Sequence, residues 1–218
     1  MNDPQLFEMM SSELTAAVLS DKCDEFGFRD QAMAARIRPL DPSKVLVGRA
    51  MPVLTTDVFE TPADPYKMEI ASVDALKPND VMVTCTNESS RTCFWGEILS
   101  TAAIARGARG AVIDGYTRDA RQILELGFPT FVTGMKVPDS KGRSAVVDFN
   151  CPVRCGDVLV HPGDIIFGDI DGVVVIPKDH EDAIITAALE KLKKESQTIQ
   201  ELRKGSMLAD VYAKYGVL

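Results

Sequence analysis

Two carboxylates and a guanidinium mark the stretch Trp95 to Ile123, WGEILSTAAIARGARGAVIDGYTRDARQI. Glu97 is followed, after twenty residues, by the adjacent pair Arg118 and Asp119. Carboxylates converging on one point, with few soft ligands about, suit a hard divalent ion such as Mg²⁺ or Mn²⁺. Magnesium keeps several waters, so one direct carboxylate with water-mediated contacts makes a sufficient shell. The free amides at the start of a helix after Glu97 can hold a carboxylate, helped by the helix dipole. Arg118 adds a charge-assisted contact to the same anion or to an enolate oxygen. An anionic 2-oxo acid chelating the metal through its carboxylate and keto oxygens fits this set. The metal would then act as a Lewis acid on the enolate left by carbon–carbon cleavage. The competing reading of the same residues is an Arg-Asp ion pair on a surface loop.

The elements around these residues must position them. An alanine-rich helix is expected from Ile98 to Arg106, with its small residues facing a sheet. Gly107 and Gly110 are expected to end it. Ala111, Val112 and Ile113 then form a short buried strand that runs out into a polar tip, Asp114 to Asp119. Upstream, Gln5 to Leu19 has the apolar period of one helix. Ser20 or Asp21 caps a second, ended near Gly27. Met33 to Arg38 begins a strand and Pro39 to Ser43 turns. Val45–Ala50 and Pro52–Thr56 read as one interrupted strand, Tyr66–Leu76 as a helix, and Val81–Cys85 as a buried strand. Downstream, a short helix ends at Gly127, and strands follow at Pro129–Thr133 and Ser144–Phe149. A run of short strands spans Val153–Pro177, with a hairpin turn at Asp171-Gly172. His161 lies in one of the turns of that run and reads as structural.

A long helix is expected from Asp179 to about Lys204, stopped by Gly205, and a last short one within Met207 to Leu218. His180 would sit in the first turn of the long helix. The helix carries a narrow apolar stripe at Ile185, Ala188, Leu192, Ile199 and Leu202. Glu195 interrupts the stripe. It either faces water or points into a neighbouring subunit or polar pocket, where a buried carboxylate needs a partner.

Composition narrows the function classes. The chain has 218 residues and a formal net charge of −8, with no Lys/Arg cluster. That argues against nucleic acid as a partner. No apolar run approaches the roughly 20 residues that span a bilayer, so no membrane role is expected. The start MNDPQLFEMM lacks the basic and apolar parts of a signal peptide. The five cysteines are odd in number and form no CxxC pair, which reads as reduced thiols in a cytoplasmic protein. Cys151 and Cys155 could share a metal only with two further ligands nearby.

At these residues the chain closely resembles the RraA-like family, which includes the class II 4-hydroxy-4-methyl-2-oxoglutarate/4-carboxy-4-hydroxy-2-oxoadipate aldolases. The matching pieces are WGEILSTAAIARGARGAVIDGYTRD, VHPGDIIFGDIDGVVVIP and SDKCDEFG, and the resemblance covers roughly residues 15 to 205. It implies an α/β fold, a three-layer β/β/α swivelling domain of the phosphohistidine-domain type. One such domain would span residues 1–218, with N-terminal helices and a C-terminal interface helix at about 179–205. The assembly would be a homotrimer or a hexamer.

For the site, the resemblance implies Asp119 as direct metal ligand and Glu97 as holder of metal-bound water. Arg118 would bind substrate and stabilise a pyruvate enolate, and the backbone of Gly96, Glu97, Ile98 and Leu99 would hold the substrate carboxylate. Glu195 is the counterpart of a glutamate that reaches the site from an adjacent subunit. The implied activity is retro-aldol cleavage of a 4-hydroxy-2-oxo acid to pyruvate, with oxaloacetate decarboxylation through the same enolate. The alternative is a non-catalytic regulator that binds ribonuclease E or another protein and lacks the full metal site. Glu97 stands where the best-known aldolases carry aspartate, and Gln122 follows the Arg-Asp pair where an acidic residue is expected, so the resemblance does not fix the substrate's identity. An older family label, demethylmenaquinone methyltransferase, finds no Gly-rich cofactor fingerprint after the first strand.

Overall fold

The structure, a computed structural model, describes residues 1–217. Its centre is a set of parallel strands joined by helices. Strand β2 (Leu46–Asp57) leads through α3 (Lys67–Asp74) to β3 (Asp80–Cys85), then through β4 (Cys93–Trp95) and α4 (Glu97–Ala105) to β5 (Gly110–Thr117). From there α5 (Ala120–Leu126) leads to β6 (Thr130–Met135). The sheet order is β1-β6-β5-β3-β2-β10-β11, where β1 is Arg38–Pro39, β10 is Ile165–Asp169 and β11 is Gly172–Ile176. Strand β4 pairs with β5, and β7 (Ser144–Phe149) pairs with β2. A separate hairpin joins β8 (Val153–Cys155) to β9 (Val158–Val160).

Side chains on a strand alternate between faces, and the two faces here have different partners. Val81, Val83 and Cys85 of β3 pack towards the β8–β9 hairpin, with Val153, Cys155, Val158 and Val160. Met82 points to the other face, into a cluster with Trp95, Ala103 and Ile123 under α3, α4 and α5. On the β10–β11 side that face is covered by α1 (Asp3–Glu13), α2 (Ala16–Glu25) and α6 (Glu181–Arg203), through Phe7, Leu19, Phe167, Ile176 and Ile184. Hairpin, sheet and helices give the expected three-layer α/β arrangement.

Several elements depart from expectation. The first helix breaks at Leu14-Thr15, where Thr15 takes an extended conformation and its side chain caps α2 by accepting from the Val18 N–H. A side-chain cap outweighs a continuing apolar period. Gly107 does end α4, with φ +81°, but Gly110 lies in β5. There it packs tightly, since a Cβ would come 2.5 Å from Leu46 Cδ1. Pro39, expected in a turn, belongs to β1. The proline at position 52 does not interrupt β2, which runs unbroken. The polar tip is shorter than its composition implied, because β5 continues to Thr117 with β4 and β6 pairing Tyr116 and Thr117. Asp114 is therefore buried, holding Arg36 through two bonds of 2.9 Å and accepting from the Gly156 N–H. The long helix starts after a 3₁₀ turn at Lys178–His180. The final helix is α7 (Leu208–Tyr215), and position 218 of the expected tail lies outside the described residues.

Candidate active site

Two strand ends bring the Arg-Asp pair to the start of α4. The Arg118 N–H donates to the Trp95 carbonyl at 3.0 Å, and the Thr117 hydroxyl donates to the same oxygen at 3.1 Å. The last residues of β4 and β5 are thus fixed side by side. Asp119 then turns left-handed, at φ +54° and ψ +33°, as N-cap of α5. Non-glycine residues seldom adopt this conformation, and Asp is among the few that tolerate it.

The turn sends the Asp119 carboxylate back to α4 rather than along α5. The cap residue of α4 is Gly96, which has no side chain to bond the first amides. Asp119 Oδ2 takes that role, accepting from the Glu97 N–H at 3.3 Å. An anion at a helix N-terminus is favoured by the unpaired amides and the dipole. A Cβ on Gly96 would sit 2.8 Å from Asp119 Oδ2, so only glycine leaves the carboxylate this place.

Beside this pair opens a cavity of about 320 Å³ whose lining includes Gly96, Ile98, Leu99, Arg118 and Asp119. Arg118 Nε is 3.7 Å from Asp119 Oδ2, and its Nη1 is 3.3 Å from Asp139 Oδ1. The guanidinium bridges two walls. Asp139 also accepts from the Tyr66 hydroxyl. Burial works against its ionised form, but the Tyr66 bond and Arg118 outweigh it and hold the carboxyl below its ordinary range. The bond to Asp139 pushes the Tyr66 phenol up to about 12. Glu69, one helical turn on, accepts from the Ser140 hydroxyl at 2.9 Å. Burial pushes its carboxyl up to about 7, helped by Asp139 and opposed by the Ser140 bond and Arg118.

The structure brings Gly96, Arg118 and Asp119 together. Glu97 contributes its amide, while its carboxylate is exposed on the first turn of α4 and does not line the cavity. Because Asp119 occupies the Glu97 amide, the amides of Ile98 and Leu99 are those left at the start of α4. Glu195 is on α6, 3.4 Å from Lys191, which also pairs with Asp21 of α2. It lies away from the cavity of its own chain. The stripe around it ends early, for Ile199 is 47% exposed while Thr198 is buried. His180 packs against Phe28 with the rings tilted and their centroids 4.7 Å apart, and His161 lies 3.7 Å from Asp164. Neither lines the cavity. All five cysteines are free.

Tyr66, Glu69, Asp139 and Ser140 were not foreseen. Tyr66 and Glu69, three residues apart at the start of an expected helix, do share a face. Nothing local connects them to Asp139 and Ser140, some seventy residues later.

The donors suit a hard divalent ion. They are carboxylate oxygens, and of the two on Asp119 only Oδ2 has a hydrogen-bond partner among the described residues, leaving Oδ1 for a ligand. Among the described residues no three His, Cys, Asp or Glu side chains form a metal-binding group. A cation here would take one oxygen from this chain and complete its shell with water and substrate, as magnesium does.

The β/β/α fold that carries this site is shared with known proteins. The family model described as RraA-like, Aldolase/RraA, matches residues 16–175. The chain belongs to the RraA-like family. A Halalkalibacterium halodurans protein provisionally named 4-hydroxy-4-methyl-2-oxoglutarate aldolase is 33% identical over 159 residues, covering 73% of this chain and 72% of that protein. Protein DlpA of Legionella pneumophila is 26% identical over 97% of this chain, which spans only 34% of DlpA. The crystal structure of Streptomyces coelicolor RraAS2, described as an unusual member of the RNase ES inhibitor RraA family, superposes with a TM-score of 0.82 at 26% identity. That match covers 92% of this chain and all of that one. No helix among the described residues is long and apolar enough to cross a membrane.

Proposed function

We propose that this protein is a divalent-metal-dependent carbon–carbon lyase that cleaves a 4-hydroxy-2-oxo acid to release pyruvate. One observation carries the reading: the Asp119 carboxylate is anchored on the start of α4 beside Arg118, at the wall of one cavity. The relatives named as aldolases support it.

The residues divide the work. Arg118 and the amides of Ile98 and Leu99 bind the substrate's carboxylate and 2-oxo oxygen. Asp139, bridged to Arg118, keeps the guanidinium turned into the cavity. Trp95 and Phe94, both buried, give the cavity an apolar wall that strengthens those contacts. A Mg²⁺ or Mn²⁺ ion on Asp119 would supply Lewis acidity toward the 2-oxo group. Glu97 would hold water of its shell, and Glu195 would reach the cavity of an adjacent subunit in a cytoplasmic homotrimer or hexamer. Oxaloacetate, which gives the same enolate on losing carbon dioxide, would be a second substrate.

The test is a lactate dehydrogenase-coupled assay with oxaloacetate and with 4-hydroxy-2-oxo acids, with and without Mg²⁺. Turnover that EDTA and Asp119→Ala both abolish supports the lyase. A folded protein inert towards every 2-oxo acid supports a second reading, a regulator that binds ribonuclease E or another protein. The likeness to RraAS2 and the outward Glu97 carboxylate favour that alternative.

A further inference from the structure

The cavity holds a carboxylate that the metal chemistry leaves unused. Glu69 lines the cavity together with Arg118 and Asp119. Its Oε2 accepts from the Ser140 hydroxyl at 2.9 Å, which fixes the side chain, and Oε1 has no protein partner among the described residues. The charged groups acting on it are Asp139 and Arg118, and the wall that α4 presents is apolar Ile98 and Leu99. Asp119 stands at the start of α4 and Glu69 on α3. A substrate held at its 2-oxo end by Arg118 would extend its far end along this cavity.

We propose that Glu69 is the general base of the cleavage, taking the proton from the substrate's C4 hydroxyl. This rests on the lyase reading above. As the O–H bond breaks, its electron pair forms the new C4 carbonyl. The C3–C4 bond breaks and leaves its pair on C3 as pyruvate enolate. Glu69 then returns the same proton to C3, giving the pyruvate methyl group and restoring the carboxylate. Mass and charge balance with no further reactant. A carboxyl that titrates near 7 can act in both directions at neutral pH, which suits such a shuttle.

Oxaloacetate separates this role from a structural one, because its decarboxylation has no hydroxyl proton to remove and the enolate it leaves can take its C3 proton from water. Wild type, Glu69→Gln and Glu69→Asp are assayed with Mg²⁺ on 4-hydroxy-2-oxoglutarate and on oxaloacetate, with kcat and KM determined from pH 5 to 9. Glu69→Gln should lower kcat for the hydroxy acid about 10²- to 10⁴-fold and oxaloacetate turnover far less. It should also erase the acidic limb of the hydroxy-acid profile, and Glu69→Asp should recover part of the loss. Equal losses on both substrates, or no loss on either, overturn the proposal while leaving the lyase reading intact. A wild-type protein inert on both substrates overturns the two together.

Discussion

Asp119 Oδ2 accepts from the backbone N–H of Glu97, 22 positions earlier in the chain, at 3.3 Å. The metal-binding candidate is therefore also the cap of the helix that would hold the substrate's anion. Gly96 makes room for it. Its φ of −170° is open to any residue, so alanine there strains no backbone, yet its Cβ would fall 2.8 Å from that oxygen. Gly96→Ala should displace the carboxylate, lowering Mg²⁺ affinity and turnover at least tenfold while moving stability by about 1 kcal/mol or less. Calorimetric titration with Mg²⁺ and a urea melt check the two halves. Unchanged Mg²⁺ affinity would show that the carboxylate's position on α4 is immaterial.

The left-handed turn at Asp119 separates binding from folding. Asn tolerates this conformation and can still accept from the Glu97 amide, whereas alanine does neither. Asp119→Ala should be less stable than Asp119→Asn by about 1–2 kcal/mol, and both should lose Mg²⁺-dependent turnover. Denaturant midpoints and the oxaloacetate assay make the comparison. Equal stabilities would remove the role given to the turn.

Glu69 gives stability a pH dependence of definite sign. Burial raises its carboxyl from an ordinary 4.5 to about 7 in the folded chain. Between those values the folded state binds more protons than the unfolded, so stability falls as pH rises through the window. Glu69→Gln, which cannot ionise, should gain relative to wild type by roughly 1–3 kcal/mol between pH 5 and pH 8. Urea melts of both proteins at the two pH values test this, and a difference that stays constant would count against the buried, raised carboxyl.

Asp114 should behave oppositely to Asp119. It is buried, and its two bonds to Arg36 tie the end of β5 to the chain before β1. Asp114→Ala leaves Arg36 short of its main partner and should cost about 2–4 kcal/mol, below the full penalty for a buried pair because Arg36 is part exposed. Mg²⁺ affinity of the folded variant should match wild type. A thermal melt and the same titration distinguish the two, and a loss of Mg²⁺ binding would place Asp114 in the site after all.

Glu195 can be tested through mixed assemblies. Its carboxylate pairs with Lys191 on the same helix, away from its own chain's cavity. If it serves a neighbour, Asp119→Ala and Glu195→Ala are each inactive alone. Co-expressed, they should regain a sizeable fraction of wild-type turnover, because some cavities combine an intact Asp119 with a partner's intact glutamate. Persistent inactivity of the mixture would remove Glu195 from the site.

Local chemistry alone determined the alternation of Val81, Met82 and Val83, the glycine stops at 107, 127 and 205, and the adjacency of Arg118 and Asp119. Each is set by neighbours within a turn of helix or one strand step, where period, cap and steric freedom act directly. Tertiary structure alone decided that Asp114 is buried on Arg36, 78 positions away, and that Asp119 caps α4. It also joined Glu69 to Ser140 across 71 positions. Those pairings follow from strand order and register, which are fixed when distant segments close against one another. No side chain encodes that closure in its own neighbourhood. An aspartate in a polar run therefore looks the same whether the sheet ends before it or after it.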